Sequence, residues 1–341
     1  MESKSERKVK FEHWLCKILG QGQFEIVPMP GDASFRSYSR VLTQGKSYVA
    51  MDAPPPENCQ SFVSIAAALR ALSLNVPDIF ASDLTNGFLL LSDFGDITYL
   101  NALNLDSASA QADALYLRAL KALAVMQECR EVPGHELKPF GREWMTREWD
   151  WHQEWFLEKW LGLSAVVNPA LHSCYELLIL AAESQPQVFM HRDYHAANLM
   201  VLPNNETGIL DFQDAFIGPL TYDPVSLLRD CYIDWAEADI RRRALSYADM
   251  LRKQGLITQV TDDVFMRWFD WMGLQRHIKA LMTFARKFVR DQQPRYLEFI
   301  PRTLNYVIQV SRHYPELRVL NEFYSGSVMQ ALKDNKILCE Q

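Results

Sequence analysis

The stretch VFMHRDYHAANLMVLPNNETGILDF, residues 188–212, decides how this chain is read. It divides into the strand VFM, the loop HRDYHAAN, the strand LMVL, the turn PNNETG and the strand GILDF. Asp193 then lies in a loop between strands, Asn198 opens the next strand and Asp211 ends the returning one. Such a hairpin brings Asn198 and Asp211 side by side, with Asp193 across from them. Phosphoryl transfer from ATP to an alcohol asks for these parts. One carboxylate orients and deprotonates the hydroxyl, and Mg²⁺ held by a carboxylate and an amide oxygen neutralises the phosphates. Magnesium demands hard oxygen ligands, which Asp and Asn supply and Cys does not. The pattern His191-Arg192-Asp193 with Asn198 five residues later is short enough to arise by chance; it gains meaning from the strands around it.

Upstream, residues 11–19 read as a short amphipathic helix. EIVPMP, FRSYSRVL and SYVAMD read as three strands joined by GDAS and TQGK. Pro54, Pro55 and Pro56 stop the third strand, because proline has no amide donor. Phe62, Ile65, Ala66, Leu69 and Leu72 recur at helical spacing, and VPDIFASD and GFLLLSD read as two further strands. This order predicts a small antiparallel-sheet lobe rather than a Rossmann fold. After DFGD the composition turns helical: Leu115, Ala119, Leu123 and Met126 mark one amphipathic helix, residues 141–160 hold five tryptophans, and two helical stretches fill roughly 224–320. The expected class is α+β, with an N-lobe over residues 1–95 that binds nucleotide and a larger, mainly helical C-lobe over 96–341.

Composition narrows the function. A net charge of -7 argues against a nucleic-acid partner, and Arg241, Arg242 and Arg243 read as a solvated helix face. The six cysteines are scattered without metal or redox spacing, which suits reduced, buried thiols in a cytoplasmic protein. The polar opening MESKSERKVK reads as neither a signal peptide nor a membrane span.

HRDYHAANLMV followed by LDFQDAFIGPLTYDPVSLLRD resembles the aminoglycoside phosphotransferase family, and the resemblance runs from about residue 25 to about residue 320. That family is similar to protein kinases in fold and phosphorylates small hydroxylated molecules. GDASFRSYSR, MDAPPPE and GFLLLSDFGDITYL resemble its bacterial branch that phosphorylates amino sugars at the anomeric carbon in peptidoglycan recycling. The resemblance implies a protein-kinase-like two-lobed fold. It also implies ATP and Mg²⁺, and a small-molecule amino sugar, N-acetylmuramate or N-acetylglucosamine, as acceptor. By the same motif Asp193 would be the catalytic base and Asn198 and Asp211 the Mg²⁺ ligands. His191 would support the catalytic loop, as would Asp223, which stands with Gly218 and Pro224 in the family's downstream pattern. Asp214 is a second carboxylate near the metal site, with substrate contact one candidate role.

The remaining contacts are less sharply marked. The turn from Gly31 to Ser34 reads either as an ordinary hairpin turn or as a loop whose amides approach the ATP phosphates; Gly31 tolerates positive φ and Ser34 can donate. The resemblance favours phosphate contact. Aligning VAMD with the kinase pattern VAIK puts Asp52 where a phosphate-binding lysine belongs, so another cation is required. Arg36 and Arg40 lie on the neighbouring strand, and Arg36 is the choice. The adenine is expected along the backbone of Leu91, Asp93 and Phe94. The DFGD at 93–96 is not the metal site, because it precedes the catalytic loop. In GREWMTREWDWHQEWF, Arg142 and Arg147 are candidates for a sugar carboxylate and Glu143 and Glu148 for hydroxyls, with most tryptophans read as packing. Two alternatives stay open: a kinase of the same fold acting on an aminoglycoside, choline or homoserine, and a non-catalytic nucleotide-binding protein, for which Asp52 is the argument.

Overall fold

The runs SYSRVLT and KSYVAMD pair as an antiparallel hairpin in the computed structural model, which describes residues 3–20, 23–30, 35–105, 109–163 and 169–335. The two loop residues Gln44 and Gly45 both sit at positive φ, as a tight two-residue hairpin requires. In chain order the elements begin α1 (Lys4–Leu19), β1 (Glu25–Pro28), β2 (Ser37–Thr43), β3 (Lys46–Asp52), α2 (Cys59–Ala71), β4 (Ile79–Asp83) and β5 (Phe88–Ser92). They continue with α3 (Tyr99–Leu105), α4 (Ser109–Met126), β6 (Lys138–Pro139), α5 (Arg142–His152), α6 (Pro169–Glu183), β7 (Gln187–Met190), β8 (Leu199–Val201), β9 (Thr207–Ile209) and β10 (Phe216–Pro219). The helices α7 (Tyr222–Leu228), α8 (Glu237–Lys253), α9 (Asp262–Val289), α10 (Ile300–Ser311), α11 (Arg318–Phe323) and α12 (Met329–Asp334) complete the series. Among the described residues no helix is long and apolar enough to cross a membrane.

The chain divides into two compact units. The first comprises residues 1–99, 131–136 and 198–214, and the second comprises 100–130, 137–197 and 215–341. The sequence reading had divided the chain once, after residue 95; the units interleave.

In the first unit a five-stranded antiparallel sheet runs in the order β1-β2-β3-β5-β4. Successive side chains along a strand alternate between faces. Val41, Ala50, Phe88 and Leu90 are buried against Phe11 and Leu15 of α1. Each large apolar side chain buried there contributes about 1.5–3 kcal/mol. That burial holds α1 on the sheet, and the capping box between Ser3 and Glu6 stabilises the helix's first turn. The register places Tyr38, Arg40, Val49, Met51, Leu89 and Leu91 on the opposite face.

The second unit is helical and organised around the 28-residue α9, whose inner positions are buried along most of its length. A three-stranded sheet β6-β10-β7 accompanies it. The strands expected within 188–212 therefore do not form one sheet. β7 pairs with β10, the strand FIGP that the sequence reading had not recognised, while β8 pairs with β9. The helical region after residue 224 resolves into more helices than the two expected, with breaks after Leu228, at Gly255 and before Pro294. The Arg241–Arg243 run is not a uniformly solvated face. Arg241 and Arg242 are exposed, but Arg243 turns inward, pairs with Asp113 and lies 4.4 Å from the Tyr116 and Trp235 rings. No disulfide joins the described cysteines; Cys59, Cys129 and Cys174 are buried and Cys16 is exposed.

Candidate active site

The β8–β9 hairpin sets the geometry of the first unit's polar cluster. The Leu210 N–H donates to the Asn198 carbonyl at 3.0 Å, closing the ladder so that Asn198 and Asp211 flank its open end. Asn198 Nδ2 lies 3.4 Å from Asp211 Oδ2, and Gln213 Nε2 donates to Asp211 Oδ1 at 2.7 Å. The hairpin is tied down by Ile209 N–H to the Asn75 carbonyl at 2.8 Å and Val201 N–H to the Ile97 carbonyl at 2.9 Å. The buried Phe212 ring packs on Phe62 of α2, with centroids 4.8 Å apart. Asp211 itself sits at φ 62, a left-handed conformation uncommon outside glycine, though aspartate and asparagine adopt it more readily than other residues. Strain of this kind persists only where neighbours enforce it and concentrates at functional sites. One carboxylate beside one carboxamide, turned so that its oxygen rather than Nδ2 faces the ion, would suit Mg²⁺, which accepts few protein ligands and keeps several waters. Among the described residues no group of three His, Cys, Asp or Glu is arranged to hold a metal.

On the sheet face away from α1, Arg36 Nη2 pairs with Glu57 Oε2 at 2.6 Å, and Arg36 Nη1 lies 3.9 Å from Asp214 Oδ2. Arg40 is committed elsewhere, to Asp93 at 2.6 Å and Asp96 at 2.8 Å. Partial burial acts to raise the Asp93 carboxyl, but Arg40, Ser47 and the Gly95 N–H outweigh it and hold it below its ordinary value. Phe94 lies over Gly208, where a Cβ would come within 2.8 Å of the ring. The DFGD segment thus anchors the sheet and the hairpin through its side chains. Leu91 is inside the ladder, opposite Val49 and Ile79, so the chain leaves the sheet only beyond Ser92, at Asp93 and Phe94. Asp52 lies on the α1 face, where Arg7 Nε donates to it at 2.8 Å. It does not occupy the face that carries Arg36. Gly31 and Ser34 lie outside the described residues.

In the second unit, β7 delivers the His191-Arg192-Asp193 loop. Asp223, fully buried in α7, accepts the His191 N–H at 2.7 Å and the Arg192 N–H at 3.0 Å. Burial pushes the Asp223 carboxyl up to about 7, against the pull of these two N–H groups and Arg276. Arg192 is another non-glycine residue at positive φ, 79°, with its guanidinium 4.5 Å from the Phe216 ring centroid. Asp230 accepts the Ala196 N–H at 3.1 Å and the Tyr232 N–H at 3.0 Å, holding the far end of the loop. An Asp223→Asn variant sets an amide donor against one of two backbone donors. It is expected to cost about 2 kcal/mol in a urea titration and to lower turnover by loosening the loop.

Asp193 lines a cavity of about 100 Å³ together with His195, Tyr232, Arg276, Lys279 and Phe284. Lys279 Nζ lies 3.9 Å from Asp193 Oδ1. Burial would raise the Asp193 carboxyl, but Lys279, His195, Arg276 and Arg192 together hold it well below the usual carboxylate range. The candidates of α5 do not line this cavity. Arg142 pairs with Glu176 and Glu183. Arg147 pairs with Glu143, whose side chain is 89% exposed. Glu148 is buried and accepts from Trp144 Nε1 and Gln275 Nε2. Trp149 is a packing residue, stacked on Tyr175 at 4.4 Å. The cavity residues not named from the sequence are on α9: Arg276, Lys279 and Thr283 recur at i, i+3 and i+7 along one side of the helix.

The chain is similar to an N-acetylmuramate/N-acetylglucosamine kinase of Neisseria meningitidis, 37% identical over 322 residues that span 92% of this chain and 94% of the relative. It is similar to the kinase of the same name from Pseudomonas aeruginosa, at 40% identity over 89% of this chain and 88% of the relative. Among solved structures, an ethanolamine kinase of Plasmodium vivax superposes with a TM-score of 0.62 at 11% identity, covering 90% of each chain. A choline kinase of Streptococcus pneumoniae does so at 0.61 and 14% identity, covering 90% of this chain and all of that one, with 100% coverage. These likenesses show the protein-kinase-like fold. Residues 25–256 match the phosphotransferase enzyme family, and the chain belongs to that family.

Proposed function

We propose that this chain is an ATP-dependent sugar kinase that phosphorylates the anomeric hydroxyl of N-acetylmuramate and N-acetylglucosamine, in the cytoplasm, as a step of cell-wall recycling. The observation that carries the substrate class is the identity of 37–40% over about nine-tenths of the chain to kinases bearing those two sugars in their names. In the proposed reaction the anomeric oxygen attacks the γ-phosphorus in line. The new O–P bond forms as the bond from that phosphorus to the β–γ bridging oxygen breaks, ADP leaves, and the hydroxyl proton passes to Asp193. Asn198 and Asp211 would hold Mg²⁺, which when bound neutralises phosphate charge. Arg36, oriented by Glu57, grips phosphate oxygens. An anomeric hydroxyl is more acidic than an ordinary alcohol, so a carboxylate whose basicity is restrained by Lys279 still serves.

Two alternatives lose their footing on physical grounds. Choline and aminoglycosides are cations, and Arg276 and Lys279 beside Asp193 oppose a cationic acceptor. Asp52 was the argument for a non-catalytic protein, and its carboxylate is engaged by Arg7 on the α1 face.

Turnover of Mg·ATP with N-acetylmuramate, N-acetylglucosamine and kanamycin, with ³¹P NMR of the products, tests the proposal. A sugar 1-phosphate from the amino sugars alone is expected; turnover of kanamycin alone would overturn the substrate class. Arg36→Gln is expected to raise the KM for ATP roughly 10- to 100-fold, the loss of one charge-assisted contact of about 1.5–3 kcal/mol. Binding of adenosine, which has no phosphates, should stay unchanged by calorimetry.

A further inference from the structure

The cavity beside Asp193 is lined by three cations, Arg229, Arg276 and Lys279, and two carboxylates, Asp193 and Asp230. Arg276 and Lys279 both line it, one turn apart on α9. Arg276 donates to Ser226 Oγ and lies 5.4 Å from the Tyr222 ring centroid; among the described residues no carboxylate comes within 4.0 Å of it. The one carboxylate near Lys279 among the described residues is Asp193, at the long distance of 3.9 Å. Arg229 on the same wall is different: it is consumed by Asp270 at 2.8 Å and Glu237 at 2.5 Å. Asp230, the other acid of the wall, is turned to the Ala196 and Tyr232 backbone N–H groups. A buried or half-buried cation costs free energy unless it is paired; Arg276 and Lys279 face Asp193 and Asp230 across the cavity without a close ion pair among the described residues, so both can still take a ligand's anionic group.

The rest of the wall suits the body of a sugar. Tyr232 and Phe284 offer aromatic surface, Thr283 a hydroxyl, and His195 Nδ1 is buried without a hydrogen-bond partner. Apolar surface with a few convergent polar groups is the pattern of a small-molecule site.

We infer that Arg276, assisted by Lys279, is the specificity-determining group of the acceptor site and binds a carboxylate carried by the sugar, so that the preferred acceptor is an acidic amino sugar rather than a neutral one. This rests on the sugar-kinase reading above. It identifies the lactyl carboxylate of N-acetylmuramate as the group recognised, and it moves that recognition from α5 to α9.

The test is a cycle between enzyme charge and ligand charge. The kcat/KM of the full-length protein is measured with N-acetylmuramate and with its methyl ester, then repeated with Arg276→Gln and Arg276→Lys. In the unaltered enzyme the ester should be at least about tenfold poorer, the worth of one charge-assisted hydrogen bond. In Arg276→Gln that preference should collapse to near unity, with Arg276→Lys restoring part of it. If Arg276→Gln lowers kcat/KM for acid and ester by the same factor, the guanidinium serves folding or the transferred phosphoryl, and the inference is wrong. If the unaltered enzyme treats acid and ester alike, it is also wrong. If the unaltered enzyme turns over neither muramate nor N-acetylglucosamine, the sugar-kinase reading fails first and takes this one with it.

Discussion

Asp193→Asn is expected to bind Mg·ATP about as well as the unaltered enzyme and to lose roughly 10³-fold in kcat, within the range that removing a general base produces. The substitution keeps the side-chain shape and changes one oxygen to an amide that cannot take the hydroxyl proton. The loop around it should hold, because its anchors lie elsewhere: Asp223 binds the His191 and Arg192 N–H groups, and Asp230 binds that of Ala196. Single-turnover kinetics with calorimetric ATP titration separates the two readouts. Near-normal turnover in this variant would remove Asp193 from the base role. The sign of the pH dependence follows from its surroundings. Lys279, His195, Arg276 and Arg192 hold the Asp193 carboxyl below the ordinary range despite burial. It therefore stays ionised as pH falls through the range where exposed carboxylates protonate. The acid limb of kcat/KM should lie below the ordinary aspartate value, and Lys279→Met should move it upward. A limb that stays in place in Lys279→Met would separate that ammonium from the base.

Asp211→Asn is the second large effect. Asparagine tolerates the left-handed backbone at φ 62 and keeps contact with Gln213, so folding should be preserved, with Phe212 still seated on Phe62. What goes is the only negative charge of the Asn198–Asp211 pair. A metal ion that neutralises phosphoryl charge contributes several kcal/mol to the transition state, so turnover should fall by roughly 10³-fold. The dependence of nucleotide affinity on Mg²⁺ should vanish, with ATP binding equally with and without the metal. Unchanged Mg·ATP affinity in that titration would show that Asp211 is not a metal ligand.

Much of the candidate site was legible because it is local. Asn198 and Asp211 are brought together by one short hairpin, whose strands, turn and polar ends all lie within 198–211, so spacing alone predicts their approach. The β-meander of the first unit was legible for the same reason, since period-two burial and tight turns are written in adjacent residues. Arg276 and Lys279 were not, because they lie more than eighty positions beyond Asp193 on a helix read as part of a generic helical stretch. The tryptophan-rich segment drew attention instead. Its charged side chains pair with one another and with α6, through contacts such as Arg142 with Glu176.

Asp52 shows the limit most directly. Aligned by sequence it stands in the place of a phosphate-binding lysine. Strand position alone does not say which face a side chain takes, and one residue of shift moves it to the other face. Pairing with β2 and β5, and the burial of Ala50 and Phe88 under α1, put Asp52 on the α1 face with Arg7 and leave Arg36 on the other. The sequence by itself determined the order of strands in the first unit's β-meander, the phosphotransferase motif and the hairpin pair, all of which depend on near neighbours. Only the tertiary structure decided which face each strand residue takes, which cations remain for a ligand, and that α9 walls the cavity beside Asp193, because burial and ion pairing are settled by residues far apart in the chain.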